Sequence, residues 1–369
     1  MAEHRVAVFR VDASLQIGSG HVMRCLTLAA ALRDKGWHCT FVCREHPGHL
    51  RPVIAAQGHD VVMLAAPLQQ VSADDKGTVH THWLGCSQAE DATGTAEVLV
   101  QLRPDLLVVD HYGIDAHWEA RLLPLVRTLF VIDDLADRPH AGHLLLDQNA
   151  GRDAAAYRAL VPATCVILAG ARYALLRPEF ARMRVASLAR RGQGTLRRVL
   201  VFLGGVDSGN VTGRILEALR GLRLPQALAV TVVMGPTAPW IAAVAALANT
   251  LDGEVEVLSN VSDMATLMHS CDLAIGAAGS SSWERCCLGL PALIAVLADN
   301  QRGAAEYLVN QGAARKLDLD EFMPAALHAV LADLQQQPEV LRRMSRCAAG
   351  LVDGQGVGRV LAALGQWEA

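Results

Sequence analysis

The chain has 369 residues, 52% of them hydrophobic and 19% charged, with a formal net charge of −4. That size fits two domains with ample cores, and the charge balance gives no reason to expect nucleic acid or an anionic membrane as a partner. No signal-peptide pattern opens the sequence and charged or polar residues break every apolar run, so a cytoplasmic protein is expected.

The first half alternates apolar runs with amphipathic segments. Arg5–Asp12 (RVAVFRVD) reads as a buried strand, His21–Gly36 as a helix with a glycine stop, and His38–Glu45 as a second strand. A helix over Arg51–Gly58 and a strand over Asp60–Ala65 follow. From Pro67 to Gly94 the pattern weakens into a long polar stretch, a length of loop that is usually functional or disordered. AEVLVQLR reads as a helix, Asp105–Gly113 (DLLVVDHYG) as a strand entering a loop, HWEARLLPLV as a helix and Thr128–Asp134 as a strand, with a further strand at His143–Ala150.

Leu175–Thr195 is one basic helix followed by a Gly-containing turn and reads as a linker. Alternation then resumes: strands at Arg197–Asp207, Leu228–Gly235, Glu254–Val261, Asp272–Gly279 and Pro291–Gln301 are separated by helical segments. The expected organisation is a first domain over 1–175, a linker helix over 176–195 and a second domain over 196–369. Strands alternating with helices imply parallel pairing, an α/β class and doubly wound sheets. Such sheets bind ligands at the carboxyl ends of their strands.

Nine scattered cysteines with no C-x-x-C pair fit reduced thiols rather than a disulfide framework. His80 with His82, and His46 with His49, have spacings met in metal sites, but no cysteine or carboxylate cluster completes either. Neither a metal nor another cofactor is expected.

Polar clusters fall at the predicted strand ends. Ile17–Cys25 (IGSGHVMRC) puts Gly18 and Gly20 between strand and helix, as in a dinucleotide fingerprint, but Met23 stands where a third glycine belongs. His21 would lie in the first helical turn, where the dipole disfavours imidazolium, so it is expected neutral and able to act as a base; a solvent-facing polar residue is an equal reading. Val108–Gly113 brings Asp110, His111 and Tyr112 to a strand end, where a carboxylate could orient a base or simply cap the loop. Asp133 and Asp134 follow a later strand.

Gly204 and Gly205 follow the first strand of the second domain, as a phosphate turn or only a tight turn. Ala277–Val296 opens a helix with Gly279, Ser280, Ser281 and Ser282, a run longer than an N-cap requires and suited to a diphosphate held without metal. Glu284 in the first turn could accept both hydroxyls of a ribose, the alternative being a Ser N-cap with a first-turn acid at the helix dipole.

Taken together, R-x-D-x-S-x-x-I-G-x-G-H-x-x-R (Arg10, Asp12, Ser14, Ile17, Gly18, Gly20, His21, Arg24), then DHYG, RYALLRPEF, LGGVD and the Gly/Ser–Glu–ADNQ region in order resemble the UDP-sugar hydrolases of pseudaminic acid biosynthesis. The resemblance spans roughly residues 5 to 310. It implies a GT-B fold, two Rossmann-like doubly wound domains facing across a cleft, shared with the transferase that completes lipid II. It implies His21 as general base, with Tyr112 and Asn300 in the catalytic site. Asp12, Gly18, Gly20, Arg24, Asp110, Arg177, Gly204, Gly205, Gly279–Ser282, Glu284 and Gln301 are the expected contacts to sugar or UDP.

The implied reaction is metal-free hydrolysis of UDP-2,4-diacetamido-2,4,6-trideoxy-β-L-altropyranose by C–O cleavage at the anomeric carbon with inversion. The expected partner is this small-molecule UDP-sugar, with no nucleic acid and no membrane, and the expected state is a monomer. A UDP-sugar-dependent glycosyltransferase and a catalytically silent nucleotide-sugar binding protein stand as alternatives, since the same fold serves all three.

Overall fold

In the computed structural model of the chain, which describes residues 5–66, 78–221, 227–321 and 323–368, the strands form two separate, wholly parallel sheets. The first runs β1 (Val6–Val11), β2 (His38–Arg44), β3 (Asp60–Leu64), β4 (Leu106–Asp110), β5 (Thr128–Ile132), β6 (Leu144–Asp147) and β7 (Val166–Ala169). Their spatial order is β3-β2-β1-β4-β5-β6-β7.

The second runs β8 (Arg198–Phe202), β9 (Ala229–Met234), β10 (Val255–Ser259), β11 (Leu273–Ala277), β12 (Ala292–Ala295) and β13 (Ala314–Lys316), in the order β10-β9-β8-β11-β12-β13. The edge strands β7 and β13 were not anticipated. β7 is a four-residue apolar run, VILA, only partly buried at the sheet edge, and β13 is three residues, ARK, of which two are cations; such short segments fall below the length at which a strand pattern reads clearly.

The central strands read as continuous apolar runs because helices bury both faces. In the first domain Phe9, Phe41, Val108 and Phe130 lie in one core cluster, and Val8, Leu107, Val109 and Val131 in another. Strand order reverses between β1 and β4, where Val11 pairs with Asp110, and between β8 and β11, where Phe202 pairs with Gly276. At such a switch point the connections on the two sides diverge and leave a crevice at the carboxyl ends. The first crevice lies beside Asp12–Gly20 and Asp110–Gly113, the second beside Leu203–Asp207 and Ala278–Ser282.

The division into domains differs from the expectation in two respects. One compact unit comprises 1–175 together with 356–369, and the other 176–355. The last helix, Gly356–Glu368, therefore belongs to the first domain rather than the second. Val357, Val360, Leu361 and Leu364 form an i, i+3, i+4, i+7 stripe, and Val360 and Leu364 are buried in the first domain's core. Gly356 permits this docking, since a Cβ there would strike the backbone of Tyr173 and Ala174. The helix Pro178–Arg191 is likewise no free linker. Phe180 is fully buried, and Ser187 donates to the Leu288 carbonyl at 2.8 Å inside the second domain.

The polar stretch at 67–94 also resolves differently. Residues 67–77 lie outside the described residues. Thr81–Leu84 forms a short helix, and Gln88–Leu102 a long one that starts well before Ala96. Its start is a reciprocal capping box: the Glu90 backbone N–H donates to the Ser87 hydroxyl, and the Glu90 carboxylate accepts from the Ser87 backbone N–H.

Candidate active site

Asp110 ends β4 in the first domain, and two side chains of the helix Gly20–Arg33 converge on it. His21 and Arg24 are three residues apart, so they share a face of that helix. His21 Nδ1 lies 2.6 Å from Asp110 Oδ1. Arg24 grips the same carboxylate with both arms, Nε at 2.6 Å from Oδ2 and Nη2 at 2.7 Å from Oδ1. Its remaining arm, Nη1, reaches Asp134 Oδ2 at 2.5 Å.

Burial alone would raise the Asp110 carboxyl, but Arg24 and then His21 overcome it and hold the group well below the usual carboxylate range. An ionised acceptor at Oδ1 fixes the Nδ1–H tautomer of His21 and turns the lone pair to Nε2. Nε2 has no hydrogen-bond partner among the described residues, and His21 is only 9% exposed. The helix start carries no side-chain cap, so Asp110 rather than a capping group orients the imidazole.

Tyr112 closes a ring of side chains. Its hydroxyl donates to Asp134 Oδ2 at 2.9 Å, and its ring lies edge-on to His21 with centroids 4.6 Å apart. Burial, reinforced by Asp134, pushes the Tyr112 hydroxyl well above its ordinary value, which leaves it a donor and not a proton acceptor. The ring is nearly covered. Trp83 stacks on it at 5.7 Å and His80 tilts against it at 5.5 Å. Thr78 Oγ1 ties this segment down by donating to the Tyr112 carbonyl at 2.9 Å. A side chain at Gly113 would crowd His80's carbonyl, so glycine is what lets the segment approach β4.

Several expected contacts are placed differently. Asp12 is buried: it accepts from the Arg44 backbone N–H at 2.6 Å and pairs with Arg10 at 2.8 Å, and His111 Nε2 lies 3.4 Å from its free oxygen. It holds the ends of β1, β2 and β4 together rather than facing a ligand. Asp110 is equally buried and acts through His21 and Arg24. Arg24 itself is 6% exposed with its nitrogens engaged by carboxylates, so it offers nothing to a phosphate. Gly18 adopts φ +78° in the turn closed by its N–H on the Ser14 carbonyl at 2.8 Å, and Gly20 begins the helix. Met23, at the missing third glycine, packs against the first domain's core.

In the second domain the expected residues gather at the carboxyl ends of β8, β11 and β12. Gly204 has φ +104° with open space where a Cβ would stand, and the Gly205 carbonyl accepts from Gly235 at 2.9 Å. Gly279 is similarly open, Ser280 is exposed and Ser281 half-buried. Ser282 is a correction. It is 1% exposed, and its hydroxyl is spent on Arg285 at 2.8 Å and the Ala277 carbonyl at 3.4 Å.

Glu284 is largely buried. Burial pushes its carboxyl up to about 7, against the pull of Arg177, whose Nη2 lies 3.8 Å away. Arg177 also pairs with Glu179 at 3.0 Å and donates to the Ser262 carbonyl at 3.3 Å. Asn300 is exposed in a short 3-10 turn, Asp299–Gln301, while Gln301 Oε1 accepts from the Leu297 N–H at 3.1 Å. Among the described residues no cluster of His, Cys, Asp or Glu has metal-holding geometry, and no helix is long and apolar enough to cross a membrane.

Asp134, His80, Trp83 and Arg285 are not among the expected site residues, although His80 stands out by its spacing from His82 and Asp134 by its place after a strand. His80 and Trp83 lie in the stretch that read as loop, and Arg285 reads as an ordinary helical cation.

Residues 198–356 match the glycosyltransferase family 28 C-terminal domain. The chain is 24% identical to the UDP-2,4-diacetamido-2,4,6-trideoxy-beta-L-altropyranose hydrolase of Campylobacter jejuni, over 83% of this chain and 96% of that one. It is 25% identical to a UDP-N-acetylglucosamine–N-acetylmuramyl-(pentapeptide) pyrophosphoryl-undecaprenol N-acetylglucosamine transferase of Thiobacillus denitrificans, over 92% and 93% of the two chains. Among solved structures, Acinetobacter baumannii MurG superposes with a TM-score of 0.69 at 16% identity, covering 98% of this chain and 99% of that one. The chain is a two-domain α/β protein of the GT-B fold that resembles the UDP-diacetamido-trideoxy-altropyranose hydrolase and matches, over residues 198–356, the glycosyltransferase family 28 C-terminal domain.

Proposed function

We propose that the chain hydrolyses a UDP-linked diacetamido-trideoxy sugar, of the UDP-2,4-diacetamido-2,4,6-trideoxy-β-L-altropyranose type, to UDP and the free sugar. The observation that carries this reading is the His21–Asp110 pair, with Nε2 of His21 left open. Support for the substrate class comes from the hydrolase relative and from the sugar-nucleotide transferase relatives.

His21 Nε2 takes a proton from water as the water oxygen bonds to the anomeric carbon. The bond from that carbon to the UDP oxygen breaks, and UDP leaves with the electron pair. Attack opposite the leaving group inverts the anomeric centre. The Asp110 carboxylate stabilises the imidazolium that forms, as the acid of a catalytic triad does. UDP is a good leaving group, so a strong general acid is not needed, and fixed donors near Ser280 and Ser281 stabilise its developing charge. Glu284 accepts the ribose hydroxyls, and Asn300 contacts the sugar. This mechanism requires no metal, and the proposed role belongs to pseudaminic acid biosynthesis in the cytoplasm.

The test is incubation with a panel of UDP-amino sugars, following UDP and the free sugar by NMR. Release of both from the diacetamido-trideoxy substrate is expected; no release from any member rejects the reading. The family 28 domain favours a second reading, transfer of the sugar to an acceptor alcohol or amine. Steady UDP release without an acceptor separates hydrolysis from transfer.

A further inference from the structure

The helix Ser281–Cys287 conceals a guanidinium that the reaction above does not use. Arg285 is 2% exposed, and among the described residues it forms no ion pair with a carboxylate. Burial lowers its pKa to about 10, so it remains cationic at neutral pH. A buried, unpaired charge is strongly unfavourable unless something compensates it.

Other arginines of this domain show what a purely structural buried guanidinium looks like. Arg191 ends on three main-chain carbonyls, Leu288 at 2.8 Å, Cys271 at 2.7 Å and Met268 at 2.8 Å. Arg184 likewise ends on carbonyls, of Cys287, Val352 and Ala349. Each satisfies otherwise orphaned acceptors near helix ends, and the hydrogen bonding stops there.

Arg285 is different because two of its targets are hydroxyls, which accept and donate again. Nη2 donates to Ser282 Oγ at 2.8 Å and to the Ala277 carbonyl at 2.7 Å, and Ser282 returns its own proton to that same carbonyl at 3.4 Å. That circuit closes inside the protein. Nη1 donates to Ser281 Oγ at 3.3 Å, and there the circuit stays open. Ser281 is half-buried, and its hydroxyl proton has no acceptor among the described residues. With one lone pair engaged by a cation, that hydroxyl is polarised and keeps its proton available to an acceptor outside the circuit. The sheet gives up a side chain to make this possible: a Cβ at Gly276 would collide with Arg285 and lie 2.8 Å from the Phe202 carbonyl.

We infer that Arg285 is a positioning residue for an anion: it holds Ser281 as an outward hydroxyl donor and supplies buried positive charge behind it, and the ligand is the diphosphate of UDP. This rests on the reading that the second domain binds UDP, but not on hydrolysis.

The test compares affinities for UDP and for uridine, which lacks the charge, in the full-length wild type, Arg285→Met, Arg285→Lys and Ser281→Ala, with Arg191→Met as control. Loss of UDP affinity by at least about 10-fold is expected in Arg285→Met and Ser281→Ala, the low end for a hydrogen bond to a charged group, with uridine affinity nearly unchanged. Arg285→Lys recovers part of the loss by restoring charge without the fork. Arg191→Met lowers the melting temperature and leaves the UDP-to-uridine ratio alone, which marks a structural role. An unchanged ratio in folded Arg285→Met overturns the inference. Should that variant not fold, an unchanged ratio in Ser281→Ala overturns it equally. Wild type that fails to bind UDP removes the reading beneath it; wild type that binds UDP but hydrolyses nothing removes the hydrolase reading and leaves this inference standing.

Discussion

His21 Nδ1 stands 2.6 Å from Asp110 Oδ1, and the same carboxylate receives both arms of Arg24. One buried acid thus orients the proposed base and neutralises a buried cation. Its two roles are separable by experiment. Removing the charge in Asp110→Asn leaves the Arg24 guanidinium with Asp134 as its carboxylate partner, and breaking a buried pair from one side costs up to about 3–5 kcal/mol. Chemical denaturation should show a loss of that order. The Asp110 carboxyl is held low in the folded state, so its contribution is present above the unfolded value near ~3.9 and is lost as pH falls through the folded value. The wild-type advantage over Asp110→Asn should therefore hold at neutral pH and shrink progressively as pH falls below about 4. Equal stabilities at neutral pH would contradict this account of the pair.

Replacing His21 with Ala should lower kcat by at least ~100-fold, the low end for a lost general base. The second domain is untouched, so UDP affinity should hold. Near wild-type turnover in the folded variant would remove His21 from the mechanism.

Glu284 supplies a pH signature independent of the chemistry. Burial pushes its carboxyl up to about 7, and the ionised form is the one that accepts two ribose hydroxyls. Uridine binding should therefore strengthen as pH rises through that value, by up to about tenfold between one unit below and one unit above, and weaken as it falls. Glu284→Gln should flatten the profile. A flat profile in the wild type would show that Glu284 does not meet the ribose as carboxylate.

The closing helix makes a prediction about stability. Leu364 is buried in the first domain's core although it lies almost 190 residues beyond that domain's main segment. Leu364→Ala should cost about 2–5 kcal/mol, as large-to-small core changes do. Hydrogen exchange should show the lost protection in residues of the first sheet. Loss confined to 176–355 would contradict the assignment of this helix.

The sequence made some of this legible and hid the rest, for physical reasons. Parallel strands buried on both faces announce themselves as unbroken apolar runs, which is why β1, β4, β8 and β11 and the loops after them could be read directly. His21 and Asp110 were both visible as candidates, but their pairing depends on the register that sets Val11 beside Asp110 across the sheet. Asp12 and Ser282 illustrate the converse limit. A polar residue at a strand end looks the same in sequence whether it faces a ligand or ties strands together, and only the arrangement of Arg10, Arg44 and Arg285 around them decides. The helix Gln88–Leu102 had a readable start in Ser87-x-x-Glu90, a capping signature that the polar composition around it obscured. The return of the last helix to the first domain was beyond reach, since an amphipathic stripe says that a face is buried and not against what.

The most direct test of the central claim is hydrolysis of UDP-2,4-diacetamido-2,4,6-trideoxy-β-L-altropyranose in oxygen-18 water, with mass analysis of both products. The account predicts UDP without label and a free sugar carrying one labelled oxygen at the anomeric position. Label in UDP, or no turnover without an added acceptor, would contradict it.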